Sequence, residues 1–170
     1  MFIGLISDTH GIFSDPFRDF FAPVDVIWHA GDWGGDASFA ESISGFKPVV
    51  GVHGNCDGSG IRYLYPEVQL LKLQGIKVLM THIGGSPGHY YPVAKALIEE
   101  HKPDYFICGH SHILMVKWDE KYKLMYLNPG AAGLQGWQLE RTALRFKLEK
   151  GELKDLEVFH LPKNNATFAP

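Results

Sequence analysis

The stretch Phe2-Ile3-Gly4-Leu5-Ile6-Ser7-Asp8-Thr9-His10-Gly11 decides how this chain is read. Its first half is a short apolar run, which reads as a buried strand. Its second half is a polar loop that carries a carboxylate and an imidazole and ends on glycine. The same phrase recurs along the chain. Val24–Ala30 leads into Gly31-Asp32, and Pro48–His53 leads into Gly54-Asn55-Cys56-Asp57. Val78–Met80 leads into Thr81-His82, and Phe106–Cys108 into Gly109-His110-Ser111-His112. Ligands of α/β sheets gather at strand ends, so five such clusters are expected to converge on one crevice.

Between the early strands lie helical patterns. Asp15-Pro16 reads as an N-cap followed by proline at the first helical position, with Phe17, Phe20 and Phe21 on one face. Asp36 caps a second expected helix that buries Phe39, Ile43 and Phe46 and ends near Gly45. From Val68 the rhythm changes. Val68–Leu73 and Ile76–Thr81 flank a tight Gln74-Gly75 turn and read as a hairpin. Pro92–His101 reads as a helix that stops before Pro103. The remainder is expected to be strand: Tyr105–Cys108, Ile113–Trp118, Leu124–Leu127, Thr142–Lys150 and Leu153–Phe159, the last two joined at Lys150-Gly151. An early β-α-β-α-β run followed by antiparallel strands implies two packed sheets with helices outside, an α/β architecture with a mixed-sheet core. One domain spanning 1–170 is expected, with fraying after about residue 161.

Apolar residues make up 45% and charged residues 21%, enough for a sizeable core without disulfide staples. The 16 Lys and Arg form no basic run and the formal charge is −3, so the footprint of a nucleic-acid binder is missing. No apolar run approaches the length of a membrane span. Cys56 and Cys108 make no disulfide framework and suit a reducing compartment, and Met1 runs directly into the first strand; a cytoplasmic protein is expected.

Histidine and carboxylate together suit divalent first-row metals, and a carboxamide oxygen from Asn55 is compatible with them. In extended backbone, residues two apart point to one side, which would let Asp8 and His10, and likewise His110 and His112, grip a common target. Each His or Asp taken singly has a structural explanation as a turn or satisfied polar group. Their joint placement after ordered strands favours a metal site. His29 and His53 precede their loops and are read as packing or supporting residues, and Asn128-Pro129-Gly130 as a turn first and a substrate neighbour second.

The ordered set Asp-x-His, Gly-Asp, Gly-Asn-x-Asp, His and Gly-His-x-His resembles the calcineurin-like metallophosphoesterase superfamily, in particular its small bacterial and archaeal phosphodiesterase branch. The likeness runs from Ile3 to about Gly130. It implies a four-layer α/β/β/α sandwich of two mixed sheets. It also implies two divalent metal ions, one on Asp8, His10, Asp32 and His112, the other on Asp32, Asn55, His82 and His110, with Asp32 bridging. Manganese is the ion the resemblance favours, with iron, zinc or nickel as alternatives. The implied reaction is phosphodiester hydrolysis by in-line attack of a metal-activated water, the substrate a small phosphodiester. A phosphomonoesterase, or a metal-binding interaction scaffold of the same fold, is the rival reading, and the resemblance is compatible with a homodimer.

Two positions depart from the family pattern. Many relatives carry His after the Asn of Gly-Asn, as a proton donor to the leaving group, and this chain has Cys56. An unperturbed thiol, with a pKa of about 8.5, is a poor substitute. His89, in the loop Gly84–Tyr91, is the alternative candidate donor. Asp32, Asn55, Cys56 and His89 are thus the candidate catalytic residues. The second departure is Ala131, where this branch often has Ser.

Overall fold

The computed structural model describes residues 1–163. The first half alternates β1 (Phe2–Ile6), α1 (Asp15–Phe21), β2 (Val26–His29), α2 (Ala37–Ser44), β3 (Val49–Gly51) and α3 (Ser59–Leu64). Then come β4 (Val68–Leu73), β5 (Ile76–Thr81), a small hairpin of β6 (Gly85–Ser86) and β7 (His89–Tyr90), and α4 (Pro92–His101). The chain continues with β8 (Tyr105–Ile107), β9 (Leu114–Asp119), β10 (Leu124–Pro129), β11 (Glu140–Glu149) and β12 (Glu152–Pro162).

Two five-stranded mixed sheets result, in the orders β12-β11-β1-β2-β3 and β4-β5-β8-β10-β9. In the first, β1, β2 and β3 are parallel and β11 runs antiparallel to β1. In the second, β5, β8 and β10 are parallel. Side chains alternate across a strand, and that alternation builds the layers. Ile3, Leu5, Trp28 and Ala30 face Val78, Met80, Ile107 and Leu127 in a core between the sheets. The intervening Ile6 and Ile27 face outward into a second core with Phe17 and Phe21 of α1, Ile43 of α2 and Ile61 of α3. Leu79 and Phe106 pack on Ala94 and Ile98 of α4 in a third. Three cores between four layers give the α/β/β/α sandwich.

Local chemistry explains most boundaries. Asp36 caps α2, its carboxylate accepting from Ser38 N–H at 3.0 Å. The turns Gln74-Gly75 and Lys150-Gly151 place both central residues at positive φ, as tight hairpin turns require. α4 stops at Lys102, which adopts a left-handed conformation just before Pro103.

Three expectations need correction. α1 is capped by Ser14, with Asp15 and Pro16 already in its first turn, and Ser14 forms no side-chain cap bond. The six-residue α3 went unread because it opens on Ser59-Gly60 and buries only Ile61, too little for a 3.6-residue period to show. The hairpin β6–β7 sits inside what read as loop, its strands being two residues each. At the other end β12 extends to Pro162, and the expected fraying of Asn164–Thr167 lies outside the described residues. No helix among the described residues is long and apolar enough to cross a membrane.

Gly4, at the centre of β1, marks where α1 lies closest: a Cβ there would sit 2.5 Å from Cδ1 of Phe21. Gly4→Val is expected to destabilise the fold by about 1–3 kcal/mol through overpacking. The measurement is a lower urea midpoint with unchanged slope; an unchanged midpoint contradicts this packing.

Candidate metal centre

The five loops lie at the carboxyl ends of β1, β2, β3, β5 and β8 and are stitched together by backbone bonds. Asp8 N–H donates to Gly31 O (2.9 Å), His10 N–H to Asp32 O (3.2 Å) and Gly109 N–H to His82 O (3.0 Å). The last bond joins two loops of the second sheet. One link between the sheets is His110 N–H, which donates to Asp8 Oδ2 at 3.1 Å.

The side chains gather into two groups, Asp8 with His10 and His112, and Asp32 with His82 and His110. Within each group one ligand-type atom per residue lies within 4.8 Å of the others. The groups adjoin, because His82 Nε2 is 3.2 Å from Asp32 Oδ2 and 3.9 Å from Asp8 Oδ1. His112 Nε2 is 3.1 Å from Asp8 Oδ1. The extended-backbone argument for Asp8/His10 and His110/His112 does not hold. All four, and Asp32 with them, have φ between 46° and 65°. Left-handed turns, not strand alternation, aim these side chains inward.

Asn55 is exposed, its amide nitrogen donating to Cys56 Sγ at 3.2 Å, but it lines one cavity with His82. Cys56 N–H donates to Asp32 Oδ1 at 2.8 Å, which ties this loop to the second group. His89 is exposed on the β6–β7 hairpin, opposite Ser86.

Supporting residues fix the orientation of the imidazoles. His82 Nδ1–H donates to Ala30 O (2.8 Å), which turns Nε2 toward the carboxylates. Gln138 Oε1 lies 3.3 Å from His112 Nδ1 and does the same for that ring. Ser7 Oγ donates to Asp8 Oδ2 at 2.6 Å. Asp57 accepts from Gly34 N–H (3.1 Å) and Gly54 N–H (2.7 Å), tying the loops after β2 and β3 together. Asn128 is buried, and its amide donates to Gly109 O (2.9 Å) and Ser111 Oγ (3.1 Å), so it holds the His110–His112 loop rather than serving only as a turn. His29 stacks on Trp33 with ring centroids 3.7 Å apart and bonds Thr9 Oγ1 through Nε2; burial keeps its pKa well below the ordinary histidine value.

The donor set fits divalent metal. Asp8 Oδ1, His10 Nε2 and His82 Nε2 are buried without an aligned hydrogen-bond partner. With its proton on Nδ1, His82 presents a lone pair to carboxylate oxygens, and only a proton or a cation between them relieves that arrangement. The protonation balance says the same. Burial opposes charge on His82, but the close contact with Asp32 and the charges of Asp8 and Asp32 outweigh it and raise its pKa. For Asp32, burial is likewise outweighed by the His82 contact and the Cys56 amide, and its pKa is lowered. The close Asp8 carboxylate raises His112, whereas burial lowers His110.

A two-sheet sandwich with paired imidazole and carboxylate clusters at its strand ends defines the class. The chain belongs to the calcineurin-like phosphoesterase superfamily, whose domain model matches residues 1–151. Among solved structures it is similar to an archaeal phosphodiesterase (21% identity, 95% of this chain and 100% of that one, TM-score 0.71). It is also similar to a predicted phosphoesterase of Streptococcus pneumoniae TIGR4 (23% identity, 95% and 89%, TM-score 0.64). Vps29 of Entamoeba histolytica complexed with zinc shares the fold at 16% identity (96% and 100%, TM-score 0.71). A search of curated proteins finds no match.

Because the pKa values of His82 and His112 are raised, a metal ion must displace protons from them. Affinity for zinc is expected to climb with pH above the ordinary histidine value of about 6.5, through the raised values, with protons released on binding. Calorimetry in buffers of different ionisation enthalpy measures the release; affinity independent of pH contradicts the assignment.

Proposed function

We propose that this chain is a dinuclear metal-dependent phosphodiesterase. The observation that carries the reading is the pair of adjoining clusters whose buried acceptors face one another. In it, Asp8, His10, Asp32 and His112 would hold one ion and Asp32, Asn55, His82 and His110 the other, Asp32 serving both; manganese is the ion we favour. When bound, two such ions supply a water nucleophile of lowered pKa and a positive field for the phosphoryl oxygens.

The chain's own residues do the rest. Two carboxylates leave a net positive charge beside two divalent ions, so the site attracts a phosphate anion and the charge that builds during transfer. His82 and His112, oriented through their Nδ1 atoms, keep both halves of the cage fixed. The Asn55–Cys56 loop is held on Asp32 by the Cys56 amide. In this reading Cys56 Sγ would deliver the proton to the leaving oxygen. Burial and the neighbouring Asp32 push its pKa up to about 11, so the thiol keeps its proton and donates it sluggishly.

Supporting this reading over an interaction scaffold, four imidazoles and two carboxylates converge where a docking module has no use for them. The likeness to Vps29 is one of fold. Manganese-dependent release of nitrophenol from bis-nitrophenyl phosphate is the direct test. Asp32→Asn is expected to lower kcat/KM at least about 10²-fold, the scale of losing a major electrostatic element. Activity that survives chelation, or a fully active Asp32→Asn protein, overturns the proposal.

The proton donor has its own test. Cys56→His is expected to raise the ratio of alkyl-diester to aryl-diester turnover at least about tenfold, because only the basic alkoxide needs the proton. If the ratio stays put, Cys56 is not at the leaving-group side, and His89→Ala becomes the variant in which the ratio should fall.

A further inference from the structure

One side of the second cluster opens into a cavity of about 280 Å³ that begins at His82 and Asn55. Ile83, Tyr91 and Val93 are among its apolar lining, and Arg62 and Glu67 also line it. An apolar cavity of roughly 150 Å³ holds a benzene molecule, so this one has room for a ring with a sugar-sized appendage. Tyr91 and Val93 remain 51% and 70% exposed, an uncovered apolar wall immediately beside buried polar chemistry.

The charges narrow the occupant further. Arg62 donates through Nε to Asp57 O (2.7 Å) and through Nη2 to Gly54 O (3.0 Å) and Asn55 O (3.3 Å). Its guanidinium therefore clasps the Asn55 loop, and its charge is matched by Glu67, which has no ion pair among the described residues. A cavity whose fixed charges cancel gives no grip on a second phosphate. A flat neutral ring, stacked on Tyr91 against Val93, fits it. Cys56, the residue placed at the leaving oxygen, does not line this cavity.

We infer that this cavity is the subsite for the retained organic group of the diester, and that it takes a nucleoside, with Tyr91 and Val93 setting the preference. The inference rests on the phosphodiesterase reading and adds a substrate class to it. Tyr91 supplies the stacking face, and stacking a base on an aromatic side chain is sequence-tolerant, so any base is accepted. Attack at phosphorus then expels the smaller alcohol toward Cys56, and a nucleoside monophosphate remains.

The test uses two substrates with one leaving group, thymidine 5′-nitrophenyl phosphate and methyl nitrophenyl phosphate, on the full chain with manganese. The expected preference for the thymidine ester is about tenfold or more in kcat/KM, the scale of one base stack. Tyr91→Ala and Val93→Asp should each reduce that preference most of the way to unity. Val93→Asp puts a carboxylate in the first turn of α4, where the helix dipole favours it, so the fold is kept. Turnover of both esters without preference, or a preference that neither variant changes, overturns the subsite and leaves the phosphodiesterase standing. If neither ester is hydrolysed, the phosphodiesterase reading fails, and calorimetry with thymidine 5′-monophosphate decides the cavity. Binding weakened about tenfold in both variants supports it, and absent or unaltered binding overturns it.

Discussion

Everything at this site follows from burying Asp8 and Asp32 among imidazoles that do not satisfy them. Asp8 is fully buried, and only one of its carboxylate oxygens is bonded, to Ser7 and to the His110 amide. The other faces His112 and His82 without an aligned bond. An unsatisfied buried polar group costs about 1–3 kcal/mol, and more when charged. Three such atoms in one pocket are an expense a fold of marginal stability does not carry idly. Filling the gap with positive charge converts each of them from a liability into a bond.

The backbone bears strain in the same place. Asp8, His10, Asp32, His110 and His112 all sit in left-handed conformations that non-glycine residues avoid, at about 1–3 kcal/mol each. What holds them is the crossing of loops from both sheets, since each cluster draws on both. Asp8 and His10 follow β1 while His112 follows β8; Asp32 follows β2 while His82 and His110 follow β5 and β8. The backbone must also come very close. A Cβ on Gly54 would overlap the Asp32 carboxylate, and one on Gly109 would overlap Ser7 Oγ. These contacts are why the motifs read Gly-Asn and Gly-His, with no side chain at the first position.

That same closeness accounts for what was legible in the sequence. Strands such as Ile3–Ile6 show themselves because both faces are buried, and Gln74-Gly75 because positive φ selects so few residues. The candidate ligands show themselves because chemistry restricts them to a few residue types directly after those strands. Their direction was misread, since spacing alone does not distinguish a left-handed turn from extended backbone. Among the supports, Asn128 was read as a turn and Gln138 and Arg62 not at all. Asn128 acts from the end of β10 and Gln138 from a loop on partners far along the chain, Arg62 acts from the unread helix α3, and a single polar residue carries no mark of such a partner. Ser7 is the exception, adjoining the carboxylate it holds.

Fold likeness cannot choose between hydrolase and scaffold, because an archaeal phosphodiesterase and Vps29 align to this chain over almost the same length and with equal TM-scores. The choice turns on which features each use requires. A docking surface needs exposed apolar area and is indifferent to the tautomer of a buried histidine. Here His82 has its proton fixed by Ala30 O and His112 is oriented by Gln138, arrangements that act only on what lies beyond Nε2. Orientation of that kind has meaning for a bound ion, and the proposal of hydrolysis adds to it the pairing of two such clusters side by side. In the proposed reaction the weak element is proton delivery at Cys56, where burial first and the neighbouring Asp32 second raise the thiol's pKa. On the phosphodiesterase proposal, such a site would activate water well and help a basic leaving group poorly, so the diesters it would favour are those whose leaving alcohol needs the least help.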